Sequence, residues 1–263
     1  MSKLVNYSTS DGVAVLELCN PPANAYSHEM FRQLDDAILE ARMDPEVHVM
    51  VVCGAGDKFF CAGADIEMLE TGTPEFKYYF CLHANETLRR LEHTPKLVIA
   101  AINGHCVGGG LEVAMAADLR IARAGTAKIG LPEVSLGVLP GTGGTQRLAR
   151  LIGKAKAIEL MVRGDNISVQ DAHQLGIVNQ VADTDSDSFR AAITEIARSF
   201  CPPQKASRAV GHIKRAVQTG SELTLDAGLA LERELQQQLF VSADAREGIS
   251  GFTGKRSPKF TGR

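Results

Sequence analysis

Two hydrophobic periods divide the chain. Val13-Ala14-Val15-Leu16-Glu17-Leu18 reads as a strand, Leu4 to Ser8 as another, and the Ser10-Asp11-Gly12 between them predicts a hairpin turn. From His28 to Met43 the period changes. Met30, Phe31, Leu34, Ala37, Ile38 and Ala41 recur at helical spacing, and Asp44-Pro45 closes the helix. Val47 to Cys53 and Leu97 to Ile102 are short apolar runs that predict buried strands, with an amphipathic helix from Phe76 to Leu91 between them. A short helix is expected over Gly109 to Ala117 and a strand over Leu119 to Ala122. Beyond Thr145 the pattern is mostly helical: Gln146–Leu151, Ala155–Val162, Val169–Leu175, Phe189–Phe200, Ala206–Thr219, Leu223–Phe240 and a tail helix from Ala243, with one strand at Ile177–Val181. Phe200-Cys201-Pro202-Pro203 breaks this series. The division expected is an α/β core over residues 1–200 and a helical C-terminal part over 201–263. Leu225, Leu229, Leu231 and Leu235 share one side of their helix, which predicts packing on a neighbouring element or subunit.

Composition narrows the partners. Apolar residues make up 44% and charged residues 22% of the 263 positions, the balance of a globular protein with a real core. A formal net charge of -3 and a pI near 6.2 argue against nucleic acid, since phosphate binding requires a basic face. The six cysteines form no C-x-x-C pair and no zinc-spaced group with histidine, so they read as reduced, small hydrophobes. No secretory h-region opens the chain, and no apolar stretch reaches the ~18 residues that span a bilayer. The expected location is therefore cytoplasmic, with no metal and no membrane partner.

Three short runs look like machinery. Glu112 closes Gly108-Gly109-Gly110-Leu111-Glu112, Glu133 closes Gly130-Leu131-Pro132-Glu133, and Phe60-Cys61-Ala62-Gly63-Ala64-Asp65 lies upstream. Paired carboxylates suit acid–base work, and small residues let backbone N–H groups face a developing negative oxygen. Each run also has a plainer reading. Three glycines make a tight turn, a first-turn glutamate complements a helix dipole, and Glu133 after Pro132 can simply start a helix. Gly141-Thr142-Gly143-Gly144-Thr145-Gln146-Arg147 fits neither phosphate-loop nor dinucleotide spacing. His105 is the one histidine next to the glycine run; it either lines a pocket or is structural.

Taken together, Phe60–Ile66, Ile102–Glu112, Leu131-Pro132-Glu133 and Leu139–Leu148 resemble the enoyl-CoA hydratase/isomerase (crotonase) family, nearly end to end. The resemblance implies a crotonase-like spiral of ββα units with a helical C-terminal part that makes trimers, often paired into hexamers. It implies backbone N–H groups at Ala62 and Gly109 that polarise a thioester carbonyl. Glu112 and Glu133 would hold one water, with Gly141 helping to position it. Ala64, Asp65 and Ile66 match the loop near the adenine, Lys255 matches a lysine that meets CoA phosphate across a subunit contact, and Phe252 is a candidate wall of the acyl pocket. No cofactor is implied beyond the CoA that belongs to the substrate.

Both glutamates together point to the hydratase branch, a hydro-lyase of fatty acid metabolism that converts a trans-2-enoyl-CoA to a 3-hydroxyacyl-CoA. Addition of water builds negative charge on the thioester oxygen, and each aimed N–H group stabilises such charge by ~3 kcal/mol. Glu112 is expected to act as base on the water and Glu133 as proton donor to Cα, with a shared role the alternative. Other acyl-CoA chemistry on the same fold (isomerase, decarboxylase, specialised hydratase) and a non-catalytic acyl-CoA-binding subunit are the competing readings.

Overall fold

The computed structural model describes residues 2–263. The hairpin forms as expected: β1 (Val5–Ser10) pairs antiparallel with β2 (Val13–Leu18), and Asp11 and Gly12 take the positive φ angles, 50° and 80°, that its two-residue turn requires. Helix α1 (His28–Met43) follows, with the Ser27 side chain accepting a hydrogen bond from the Met30 N–H. Then come β3 (Val49–Gly54), β4 (Phe59–Cys61), α2 (Ile66–Thr71), α3 (Pro74–Glu92), β5 (Leu97–Ile102), β6 (His105–Val107) and α4 (Gly109–Met115). The next stretch holds β7 (Leu119–Arg123), β8 (Lys128–Gly130), a 3-10 helix (Glu133–Leu136), α5 (Gly144–Ile152), α6 (Lys154–Arg163), β9 (Asn166–Ser168), α7 (Val169–Gln174) and β10 (Gln180–Ala182). Four helices end the chain: α8 (Ser186–Arg198), α9 (Ser207–Gly220), α10 (Leu225–Phe240) and α11 (Ala243–Thr253).

Two sheets rise side by side. The larger runs β1-β2-β3-β5-β7-β10 and is parallel from β2 onward; the smaller runs β4-β6-β8-β9, with only β9 antiparallel. Each of β3, β5 and β7 leaves the large sheet and continues, after a tight corner, into β4, β6 and β8 of the small one. This repeated step is the spiral of ββα units. The large sheet is covered on both faces, which is why β3 and β5 are apolar at nearly every position. Leu16, Met50, Val52, Val98 and Ala100 pack with α1, α3 and α4 on one face; Val49, Val51, Leu97 and Ile99 meet Phe189, Ile193 and Ala197 of α8 on the other.

Sequence periodicity did not find α2 or the 3-10 helix, and it missed all four strands of the small sheet. Each spans three residues, too short to show a period of two. Their corners are held by side chains instead. Asn103, nearly buried, accepts from the Gly54 N–H at 3.0 Å and donates to the carbonyls of Gly54 (3.0 Å) and Gly56 (2.8 Å). Arg123 extends the ladder, donating to the Asn103 carbonyl at 2.9 Å and the Asp57 carbonyl at 2.7 Å.

In the C-terminal helices, Lys214 of α9 reaches into the core, where its ammonium meets Asp118 at 2.8 Å and the Lys96 carbonyl at 3.0 Å. Of the four leucines expected on one side of α10, only Leu235 is fully buried, while Leu225 is 77% exposed.

Replacing Asn103 with alanine strands the buried Gly54 N–H and two carbonyls at a corner. The expected cost is about 3 kcal/mol in urea unfolding; a loss below about 1 kcal/mol would show that the corner does not depend on this side chain.

Candidate active site

Helix α4 begins against the small sheet, and its glycines are there for contact. A Cβ on Gly109 would overlap the Tyr26 hydroxyl, and one on Gly110 would overlap the Cys61 carbonyl. Gly63, at φ 94°, lies so close to α4 that a Cβ would sit 2.9 Å from the Gly109 nitrogen. The Gly109 N–H opens the helix, where no intrahelical acceptor exists.

The expected partner of Gly109 needs correcting. The Ala62 N–H is already donated to the Ala23 carbonyl at 3.0 Å, so it is not free to meet a ligand. Two residues on, Ala64 forms a lone parallel bridge with Tyr26 whose two bonds use Gly63 O and Asp65 N. The Ala64 N–H takes part in neither and has no acceptor among the described residues. The free donor of this loop is therefore Ala64. Sequence reasoning located the loop but not which alternate N–H pointed outward, because that parity is set by the bridge to Tyr26.

Glu112 is 1% exposed on the first turn of α4. Its Oε1 accepts from the Thr142 N–H at 2.8 Å and the Gly144 N–H at 2.6 Å, and its Oε2 accepts from the Thr142 hydroxyl. All three donors belong to the loop that opens α5. That loop is braced in turn. Arg147 donates to the Thr142 carbonyl at 2.9 Å and makes a two-pronged pair with Glu92 at 2.7 and 2.8 Å, while Asn85 of α3 donates to the Gly141 carbonyl at 3.3 Å. Burial raises the Glu112 carboxyl above its ordinary range, and the Thr142 and Gly144 bonds pull it back.

Glu133 sits beside it under different conditions. It starts the 3-10 helix, and its Oε1 lies 3.2 Å from where a Cβ on Gly108 would be. Its Oε2 is buried with no hydrogen-bond partner among the described residues. Burial, the Glu112 charge adding to it, raises this carboxyl to about 7. Glu112 is thus supplied with three donors, while Oε2 of Glu133 has none. Burial raises both carboxyls, and the donors around Glu112 offset that burial on its side of the pair.

The other candidates scatter. The Gly141 N–H is without an acceptor among the described residues, on the same loop that holds Glu112. Asp65 spends its side chain capping α2, accepting from the Met68 N–H at 2.9 Å, and Ile66 is 60% exposed. His105 is structural, accepting from the Lys128 N–H at 3.0 Å. Phe252, 86% exposed on α11, and Lys255, in the turn that follows that helix, take no part in the contacts around Glu112 and Glu133. Thr142 and Tyr26 contribute to the site without having been singled out; the glycines around Thr142 drew attention away from its hydroxyl. Among the described residues no three His, Cys, Asp or Glu side chains gather as a metal site, and no helix is long and apolar enough to cross a membrane.

Comparison with known proteins supplies the context. A family model described as enoyl-CoA hydratase/isomerase matches residues 8–263. A short-chain-enoyl-CoA hydratase of Clostridium acetobutylicum is 40% identical over 246 residues, covering 93% of this chain and 92% of that protein. A crotonyl-CoA hydratase of Syntrophomonas wolfei is 36% identical over 249 residues, covering 94% of each. The crystal structure of a Geobacillus kaustophilus enoyl-CoA hydratase superposes with a TM-score of 0.96 at 43% identity, covering 100% of this chain and 98% of that one.

An unpartnered carboxyl that prefers its proton leaves a mark on stability. In the unfolded chain Glu133 ionises near 4.5, in the fold near 7, so its ionisation lowers stability as pH rises through that window. Glu133→Gln is expected to raise the melting temperature at pH 8 and change it much less at pH 5, by calorimetry. An equal effect at both would mean that Glu133 is not held protonated.

Proposed function

The chain belongs to the enoyl-CoA hydratase/isomerase family, and on that premise we propose that it adds water across the Cα=Cβ bond of a trans-2-enoyl-CoA to give the 3-hydroxyacyl-CoA. The observation that carries the reading is the asymmetric pair. Glu112 accepts three hydrogen bonds that offset the cost of its burial and suit it to act as base, while Glu133 has none on Oε2, is raised to about 7 and is suited to act as acid. A hydration needs one of each, a base to take a proton from water and an acid to place one on Cα. An isomerase that shuttles one proton needs a single carboxylate.

The geometry supports the following roles. The thioester oxygen would lie between the N–H groups of Ala64 and Gly109, where two fixed dipoles and the start of α4 meet the charge of an enolate-like transition state. Water would sit between the carboxylates, near the Gly141 N–H. Glu112 takes its proton as the hydroxyl attacks Cβ; Glu133 gives its proton to Cα. The two then differ by one exchanged proton, which solvent resets. The CoA moiety would run past Ala64, Asp65 and Ile66, and the reaction would call on no cofactor beyond it.

Assembly completes the reading. Ile213, Val217, Leu225, Phe240, Val241 and Phe252 are each more than half exposed on or beside α9, α10 and α11. Such a surface on one protomer supports burial against others. A homotrimer, or a hexamer built of two, would cover it and bring Lys255 to a neighbour's CoA and Phe252 to an acyl pocket. Its place would be the cytoplasm.

The test follows the conjugated-thioester absorbance of crotonyl-CoA and its medium-chain relatives. Wild type should remove it, and Glu112→Gln and Glu133→Gln should each lower kcat by about 10²-fold or more with little change in KM. Because Glu133 must carry its proton, kcat/KM for hydration should fall as pH rises through about 7, and this limb should vanish in Glu133→Gln. A folded wild-type protein that leaves the absorbance of every short and medium enoyl-CoA unchanged would overturn the proposal.

A further inference from the structure

Thr142 has one proton to give, and it gives it to Glu112. Its hydroxyl bonds Glu112 Oε2, so its lone pairs remain for a donor. The donor within reach is the Tyr26 hydroxyl, at 3.4 Å. Tyr26 is 3% exposed, wedged by its ring against Phe31 and Phe80, and its oxygen occupies the space a Cβ on Gly109 would take. It has no other hydrogen-bond partner among the described side chains. Burial, followed by the charge of Glu112, raises the phenol well above its ordinary range, so it keeps its proton and acts only as donor.

We propose that Thr142 and Tyr26 are positioning residues for Glu112: a buried line of hydroxyls, Tyr26 to Thr142 to Glu112 Oε2, fixes the carboxylate and favours its ionised form. The inference rests on the hydratase reading for its catalytic meaning, but the line of hydroxyls stands on the geometry alone. The two backbone donors, Thr142 N and Gly144 N, both reach Oε1. Oε2 depends on the Thr142 hydroxyl alone. Tyr26 joins two parts of the site, since the same oxygen packs on Gly109, whose N–H is the proposed thioester contact.

Other charges face Glu112 from the elements around it. Arg147 of α5 favours its ionised form; Glu133 opposes it; Cys81 of α3 and Tyr26 are near enough for their own titration to respond to it. Thr142→Val changes none of the Arg147, Glu133 and Cys81 side chains and removes the one hydroxyl that joins Glu112 to Tyr26.

The experiment is a titration of the Glu112 side-chain carboxyl in protein labelled with [δ-13C]glutamate, its signal assigned by its loss in Glu112→Gln. Thr142→Val deletes a hydrogen bond to the charged form and should move the Glu112 titration to higher pH by about one unit. Thr142→Ser restores the hydroxyl and should return it. Tyr26→Phe keeps the buried ring and should shift it in the same direction by less; this variant carries the test by itself if Thr142→Val does not fold. In hydration assays kcat should fall in Thr142→Val and Tyr26→Phe while KM holds, with recovery in Thr142→Ser. A Glu112 titration unmoved by Thr142→Val overturns the proposal, and one moved by Thr142→Val but not by Tyr26→Phe removes Tyr26 from it. If wild type hydrates no enoyl-CoA, the functional reading fails while the NMR titration still decides the hydroxyl line.

Discussion

A carboxylate with almost no exposure must be given donors by the protein, and for Glu112 every donor comes from the turn at Thr142–Gly144. This constraint organises the site. It fastens the start of α4 to the start of α5, elements about thirty residues apart in sequence. It explains why the turn is rich in glycine, since a Cβ on Gly144 would press on Glu112 Oε1 at 2.9 Å. It also explains the supports behind the turn. Arg147 holds the Thr142 carbonyl and is itself held by Glu92, and Asn85 holds the Gly141 carbonyl. Arg147 lies on α5, which packs on α4, and Glu92 and Asn85 lie on α3, which packs on α1, so the helical layer braces one carboxylate.

The second carboxylate gains its character by contrast. Glu133 lies on a four-residue 3-10 helix, close to Gly108, with no donor for Oε2. Two acids that the sequence presents as equals are therefore unequal in the fold. Burial opposes ionisation in both, and three hydrogen bonds from one turn offset it at Glu112 while Oε2 of Glu133 receives none. The asymmetry sets the direction of proton flow proposed for hydration, out of water to Glu112 and out of Glu133 to Cα. It also carries a stability cost, the kind a functional site tolerates because the surrounding core supplies the rest.

How much of this the sequence revealed depended on length and repetition. Helix α1 was legible to its last residue because six buried positions repeat at helical spacing and Ser27 and Asp44 mark its ends. Strand β5 was equally clear, since all six of its residues are apolar. Strands β4, β6, β8 and β9 were not, because three residues are too few to show a period. At the candidate site, Glu112, Glu133 and Gly109 stand out in sequence from the glycine and proline runs they belong to. Ala62 was mistaken for Ala64 because which N–H faces out depends on a bridge to Tyr26, thirty-eight residues earlier. The Thr142 hydroxyl went unnoticed because its partner, Glu112, is thirty residues away.

The central claim is that one proton resides on Glu133 while Glu112 is charged. Neutron diffraction from deuterated crystals grown near pH 6, below the value of about 7 to which Glu133 is raised, would locate it directly. The account predicts a deuteron on Glu133, none on either oxygen of Glu112, and the Thr142 hydroxyl deuteron directed at Glu112 Oε2. A deuteron on Glu112 with Glu133 bare would contradict it.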